Sequence, residues 1–130
     1  MKPFAALVGL IACLPLGAAM AGDFDGSKPL ICAAAEAVEC GSGEQCTKGL
    51  PADFSLPTFL RVDVDKKTVA GPLRTSRIQV MEKGEKEILL QGTELGFAWS
   101  LAVDSEDGTM SGSIADRNGV YVLFGSCTPL

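Results

Sequence analysis

The chain has no histidine among its 130 residues, which removes several kinds of chemistry. Histidine is the commonest general base, the usual partner of a nucleophilic Ser or Cys, and a frequent metal ligand. Basic residues are also few, since 11 Lys and Arg face 16 Asp and Glu and leave a net charge of −5. A nucleic-acid-binding protein would instead present basic side chains to the phosphates. We therefore expect a protein that is not an enzyme, with no cofactor and no nucleic-acid partner.

The first 21 residues have the composition of a cleaved secretory signal. Lys2 supplies a positive start, an apolar run follows from Phe4 to Leu16, and residues 19–21 fit the A-x-A cleavage pattern. The run is too short to span a bilayer, so no transmembrane segment is expected after cleavage. The alternative is lipid anchoring at Cys13, because residues 10–13 match a bacterial lipobox. The sequence predicts a periplasmic or secreted protein with a single domain over residues 22–130.

Four cysteines remain after cleavage, Cys32, Cys40, Cys46 and Cys127. None of their spacings is the C-x-x-C of zinc and redox sites, so two structural disulfides and no metal are expected. An Ala-rich stretch from Lys28 to Glu39 predicts a short helix. In a helix Cys32 and Cys40 would lie about 12 Å apart, too far to be bridged. The pairs Cys32–Cys127 and Cys40–Cys46 are favoured, and Cys32–Cys46 with Cys40–Cys127 stays open.

Residues 57–130 carry the pattern of an antiparallel meander. Short runs with alternating apolar residues are separated by turn signals, among them the hairpin dipeptides Asp107-Gly108 and Asn118-Gly119. About six to seven strands are expected, enough for the sheet to close into a small barrel. Residues 22–50 would supply the helix and a Cys-rich loop. The predicted fold is mainly β, a meander or small barrel with a short, disulfide-tethered N-terminal helix.

Few side chains suggest a binding site. Phe97 and Trp99 share one face of a predicted strand, and with Phe124 they form a candidate pocket for a small apolar ligand. Arg61 is added as a polar contact, because with Arg74 and Arg77 it could form a patch for an anionic group. Aromatic residues on an apolar strand face are also typical of a core, and arginines are typical of a solvated face.

Three carboxylates are the acid–base candidates for an enzyme. Asp63 and Asp65 point to the same side of a predicted strand, and Asp104 begins an acidic loop. That loop lacks the glycine and glutamate positions of an EF-hand. Exposed turns explain all three residues, so the enzyme hypothesis ranks last.

Several stretches of the chain resemble a family of small secreted proteobacterial proteins. They are Leu30-Ile31-Cys32, Glu39-Cys40, residues 56–63, Leu90-Gln91-Gly92, Ala98-Trp99-Ser100 and residues 124–129. The resemblance implies secretion and a single domain, and it implies no activity. In architecture the predicted fold is also similar to the periplasmic inhibitors of c-type lysozyme. Their S-G-x-x-Y motif is incomplete here, because Ser111-Gly112 is followed by Ala115 in place of the tyrosine.

These observations lead to a ranked set of functions. The first is a non-enzymatic periplasmic module that binds a protein or a cell-envelope component, and an acidic chain would suit a basic protein partner. The alternatives are a β-barrel that carries a small apolar ligand and a protein similar to the lysozyme inhibitors.

Overall fold

The computed structural model describes residues 23–130, which form one curled antiparallel sheet. The proposed signal peptide, residues 1–21, and the lipobox residue Cys13 lie outside the described residues. A 3-10 turn at Pro51–Phe54 separates the second and third strands, and residues 23–130 contain no α-helix. The ten strands are β1 (Leu30–Gly41), β2 (Thr47–Gly49), β3 (Phe59–Asp63), β4 (Thr68–Ala70), β5 (Thr75–Arg77), β6 (Val80–Lys83), β7 (Glu87–Glu94), β8 (Phe97–Asp104), β9 (Thr109–Ala115) and β10 (Gly119–Pro129).

The strands follow the spatial order β5-β4-β3-β1-β10-β9-β8-β7-β6, and β2 pairs with the second half of β1. The outermost strands β5 and β6 are neighbours along the chain. Residues 75–77 pair with β4, and residues 80–83 pair with β7. One stretch of chain therefore occupies both edges of the sheet. The result is a curled half-barrel.

The concave face of the half-barrel holds the core. Side chains alternate between the two faces of a strand, so one residue in two along each strand points inward. In β8 these are Phe97, Trp99, Leu101 and Val103, and the last two are buried. The largest fully buried side chains are Leu30, Ile88, Leu90, Met110, Leu123, Val62 and Val103.

The helix predicted over residues 28–39 is wrong, because this segment begins the long strand β1. β1 lies between β3 and β10 and pairs with both. Leu30, Cys32 and Ala34 are buried with a period of two, which is the period of a strand. A register shift between Ala34 and Glu36 then places Ala37 on the inner face. Pairing along both edges outweighs the helix preference of alanine, which is only about 0.7 kcal/mol or less per residue.

The mainly β prediction is confirmed, but the strand count and the order differ from the expectation. The structure has ten strands rather than six to seven, because β1, β2 and the short strands β4, β5 and β6 all join the sheet. Residues 57–130 are also not one meander. β3–β5 and β6–β10 are two meanders, and β1 lies between them as the common neighbour of β3 and β10.

Two disulfides are present, as predicted. Cys32–Cys127 joins directly opposed positions of β1 and β10, and Cys40–Cys46 closes the β1–β2 loop. Disulfides persist in oxidising compartments, so these bonds indicate an extracytoplasmic or otherwise oxidising location. In the part of the chain that is described, no helix has the length and apolarity needed to cross a bilayer.

Candidate functional site

A cavity of about 670 Å³ opens at one end of the half-barrel. Three segments that are distant in sequence surround its mouth. They are residues 52–57, which include most of the 3-10 turn, the β4–β5 loop at residues 71–74, and the β7–β8 turn around Glu94 and Phe97. This volume falls within the usual range of small-molecule sites. The cavity is therefore the strongest candidate for a binding site in residues 23–130.

Apolar side chains form the floor and walls of the cavity. Leu60 of β3, Val69 of β4, Leu101 of β8 and Leu123 of β10 are all buried at its base. Leu56, Pro57, Trp99 and Ile114 complete the walls. Gathering these residues requires the curl of the sheet, because their strands lie on both sides of β1.

Trp99 is held in place by a chain of hydrogen bonds. Its indole N–H donates to Ser76 Oγ over 2.8 Å, and Ser76 Oγ in turn donates to the Thr93 carbonyl over 3.4 Å. The indole ring lies over Gly92, where an added Cβ would overlap the ring and lie 2.6 Å from the Arg77 carbonyl oxygen. The absence of a side chain at Gly92 therefore makes room for the ring.

The mouth of the cavity carries two opposite charges. Arg74 lies in the β4–β5 loop, and Glu94 ends β7. Each is next to a leucine that is largely exposed, Leu73 at 92% and Leu95 at 67%. The mouth thus combines apolar and charged side chains, whereas the floor is apolar.

The structure brings together two of the four residues predicted for ligand binding. Phe97 and Trp99 line the cavity. Phe124 lies on the opposite, convex face of the sheet, because its neighbour Leu123 takes the inner position of β10. Arg61 is also on the convex side, since Leu60 and Val62 point inward from β3.

Phe124 lines a second, smaller space of about 350 Å³ on the convex face. Leu89, Ala102 and Val122 lie beside it, and the Ser100 and Ser113 hydroxyls share a hydrogen bond of 2.7 Å nearby. Of the residues that line this space, only Leu90 and Leu101 are buried, and the others are partly or fully exposed.

The arginines do not form one patch at the cavity. Arg74 lies in the mouth, whereas Arg77 is exposed on β5 beside the inward-pointing Ser76. Ser76 and Glu94 also line the cavity, and neither is among the residues predicted from the sequence. A signal for Ser76 exists, because it lies between the outward-pointing Thr75 and Arg77, but nothing in the local sequence distinguishes Glu94 from other glutamates.

The candidate acid–base carboxylates stabilise turns. Asp63 Oδ1 accepts the Lys66 backbone N–H over 3.0 Å, and Asp104 Oδ1 accepts the N–H groups of Glu106 and Asp107 over 2.7 and 3.1 Å. Such bonds are typical of aspartate at the start of a turn. Asp65 is exposed in the β3–β4 turn. Within residues 23–130 no cluster of three or more potential metal ligands occurs.

Comparison with known proteins gives no match to this chain, whether with protein-family models, with curated proteins or with solved structures.

Proposed function

We propose that this protein binds a small, largely apolar molecule in the cavity at the end of the half-barrel. The observation that carries the proposal is the combination of volume and lining, about 670 Å³ enclosed mainly by aliphatic and aromatic side chains. Apolar cavities hold ordered water poorly, because water there lacks hydrogen-bond partners. An apolar ligand that fills the cavity would therefore displace water that makes few hydrogen bonds, and its binding would break few of them.

The expected affinity follows from the area removed from water. Each buried methylene contributes about 0.8 kcal/mol, so each further methylene that enters the cavity should tighten binding by about fourfold. Molecules with alkyl tails are components of the cell envelope. A carrier of such a ligand would therefore also be a protein that binds an envelope component. A periplasmic or secreted location fits the two disulfides and the predicted signal peptide.

The test uses Trp99, the single tryptophan of the chain, which lines the cavity and therefore reports on its filling. Dodecanol is titrated into the disulfide-bonded protein and followed by tryptophan fluorescence and by calorimetry. We expect saturable binding. Decanol should bind more weakly, by about fourfold per methylene removed.

Two matched variants locate the binding. Ile114→Phe adds volume inside the cavity and should weaken dodecanol binding by at least about tenfold, whereas Val122→Phe adds a similar bulk on the convex face and should change nothing. Absence of saturable binding to the folded wild-type protein would refute the proposal. If Val122→Phe lost binding and Ile114→Phe bound dodecanol as the wild-type protein does, the site would lie on the convex face.

A further inference from the structure

The polar side chains deep in the cavity wall already have partners. Ser76 and Trp99 bond to each other, and Ser76 also bonds to the Thr93 carbonyl. Ser100 and Ser113 lie between inward-pointing residues of β8 and β9, so their hydroxyls, which share a hydrogen bond, point to the convex face. No buried side-chain nitrogen or oxygen in residues 23–130 lacks a partner. A polar ligand group placed deep in the cavity would lose its bonds to water and meet polar side chains that already bond to each other, so an apolar group suits the deep part.

The two charges at the mouth, Arg74 and Glu94, have no charged partner within the described residues. The ion pairs among the described residues are Lys28–Asp23 and Lys48–Glu36, so Arg74 and Glu94 take part in neither. Their side chains also make no hydrogen bond to another part of residues 23–130. A cation and an anion that have no ion-pair partner within residues 23–130 therefore border the same opening.

The positions of Arg74 and Glu94 relative to the apolar lining indicate which parts of a ligand would be apolar and which would be charged. Leu73 precedes Arg74 and Leu95 follows Glu94, so each charge has an exposed apolar side chain next to it. Leu73 lines the cavity beside Arg74, so a ligand that leaves through the mouth would contact an apolar side chain with its tail and a charged side chain with its head. This arrangement is complementary to an amphiphile and not to a wholly apolar molecule.

We propose that the natural ligand is a single-chain amphiphile with a zwitterionic head group. Its tail fills the cavity against Trp99, its anionic group accepts hydrogen bonds from the Arg74 guanidinium, and its cationic group lies against the Glu94 carboxylate. This inference rests on the proposed function, since it requires that the cavity binds an apolar tail. A head group of one sign would satisfy one mouth residue and be repelled by the other.

The test compares four probes that share a dodecyl tail: dodecanol, dodecanoate, dodecylammonium and dodecylphosphocholine. The three charged probes are titrated below their critical micelle concentrations and dodecanol below its solubility limit, at neutral pH and low salt, with Trp99 fluorescence and calorimetry as readouts. Dodecylphosphocholine should bind most tightly. Arg74→Gln and Glu94→Gln should each weaken its binding by about five- to tenfold and leave dodecanol binding unchanged.

Arg61→Gln and Glu82→Gln are the matched controls, because they remove the same charges from exposed positions outside the cavity lining. Neither should alter the binding of any probe. Equal affinity for all four probes, or tightest binding of dodecanoate or dodecylammonium, would overturn the zwitterionic ligand while dodecanol binding still supported the cavity. Failure of every probe, dodecanol included, would instead refute the proposed function, and with it this inference.

Discussion

Trp99 of β8 and Ser76 of β5 are joined by a 2.8 Å hydrogen bond, although five strands separate β5 from β8 in the sheet order. Ser76 also reaches the Thr93 carbonyl of β7. Because no ladder pairs β5 with β7 or β8, these side-chain bonds join the two arms of the half-barrel where the cavity begins. The same bonds orient the aromatic ring that lines the cavity.

Replacement of Ser76 by alanine should therefore lower the free energy of unfolding by about 1–2 kcal/mol. The variant leaves the partly buried indole N–H without its acceptor. A decrease of about 1–2 kcal/mol is typical when a buried donor loses its hydrogen-bond partner. Chemical denaturation followed by circular dichroism measures the change. Ser111→Ala, at an exposed position of β9, is the control and should stay within about 0.5 kcal/mol of wild type. Equal stability of the two variants would show that the bond contributes nothing.

Gly125 should not tolerate a side chain. A Cβ at this position of β10 would overlap the carbonyl oxygen of Ala33 in β1, next to the register shift between Ala34 and Glu36. Since neither backbone can move without breaking the central ladder, we expect Gly125→Ala to cost about 3 kcal/mol or more. Gly84→Ala is the comparison, because its Cβ would make only ordinary contacts in the β6–β7 turn. Similar unfolding midpoints for both variants would contradict this account.

The two disulfides should differ in their contribution to stability. Cys32 and Cys127 are 95 residues apart, and Cys40 and Cys46 are 6 apart. In the chain-entropy model these loops correspond to roughly 5 and 2 kcal/mol of stabilisation. The double variant C32A/C127A should accordingly be less stable than C40A/C46A by about 2.5 kcal/mol in denaturant unfolding, or it should fail to fold.

Limited reduction of the wild-type protein tests the same pair without a variant. Cys32 and Cys127 are buried, whereas Cys46 is exposed. A reductant under native conditions should open Cys40–Cys46 first, and alkylation followed by mass spectrometry would identify the modified cysteines. Early alkylation of Cys32 and Cys127 would contradict the burial of this bond.

Tyr121 should ionise above the ordinary range of a phenol. Its hydroxyl donates to Glu39 Oε1 over 3.1 Å, and this bond with the nearby carboxylate raises the pKa of Tyr121 above 10.0. The interaction thus stabilises the fold below pH 10 and is lost as the pH rises through the elevated folded-state pKa. Tyr121 is the one tyrosine, so ultraviolet absorbance of the phenolate follows it directly.

Glu39→Gln should shift this titration back towards pH 10, because the amide cannot repel the phenolate. Glu106→Gln, in the β8–β9 turn at the opposite end of the sheet, should leave it unchanged. An unshifted titration in Glu39→Gln would show that the carboxylate is not the cause.

The disulfides illustrate how a prediction can survive a wrong premise. A helix would hold Cys32 and Cys40 about 12 Å apart, which excludes a bond between these two cysteines. Both residues lie in strand β1 instead, where eight positions span roughly 27 Å. Either element separates the two cysteines too far for a bond, so the conclusion did not depend on the helix.

The candidate site shows where local patterns stop being informative. Alternation correctly grouped Phe97, Trp99, Leu101 and Val103 on one face of β8. It could not do the same for β10, because apolar residues occupy both faces: Leu123 points inward and Phe124 outward. Only the pairing with β1 and β9 sets which face meets the core.

The sequence by itself determined a mainly β chain with two disulfides and an acidic surface, because strand alternation, turn dipeptides and cysteine spacing are all local properties. The tertiary structure decided that an alanine-rich segment becomes a central strand and that residues 52–57, 71–76 and 94–99 meet around one cavity. These outcomes depend on which strands pair and how far the sheet curls. Both are set by the summed packing of segments distant along the chain, which no single stretch of sequence records.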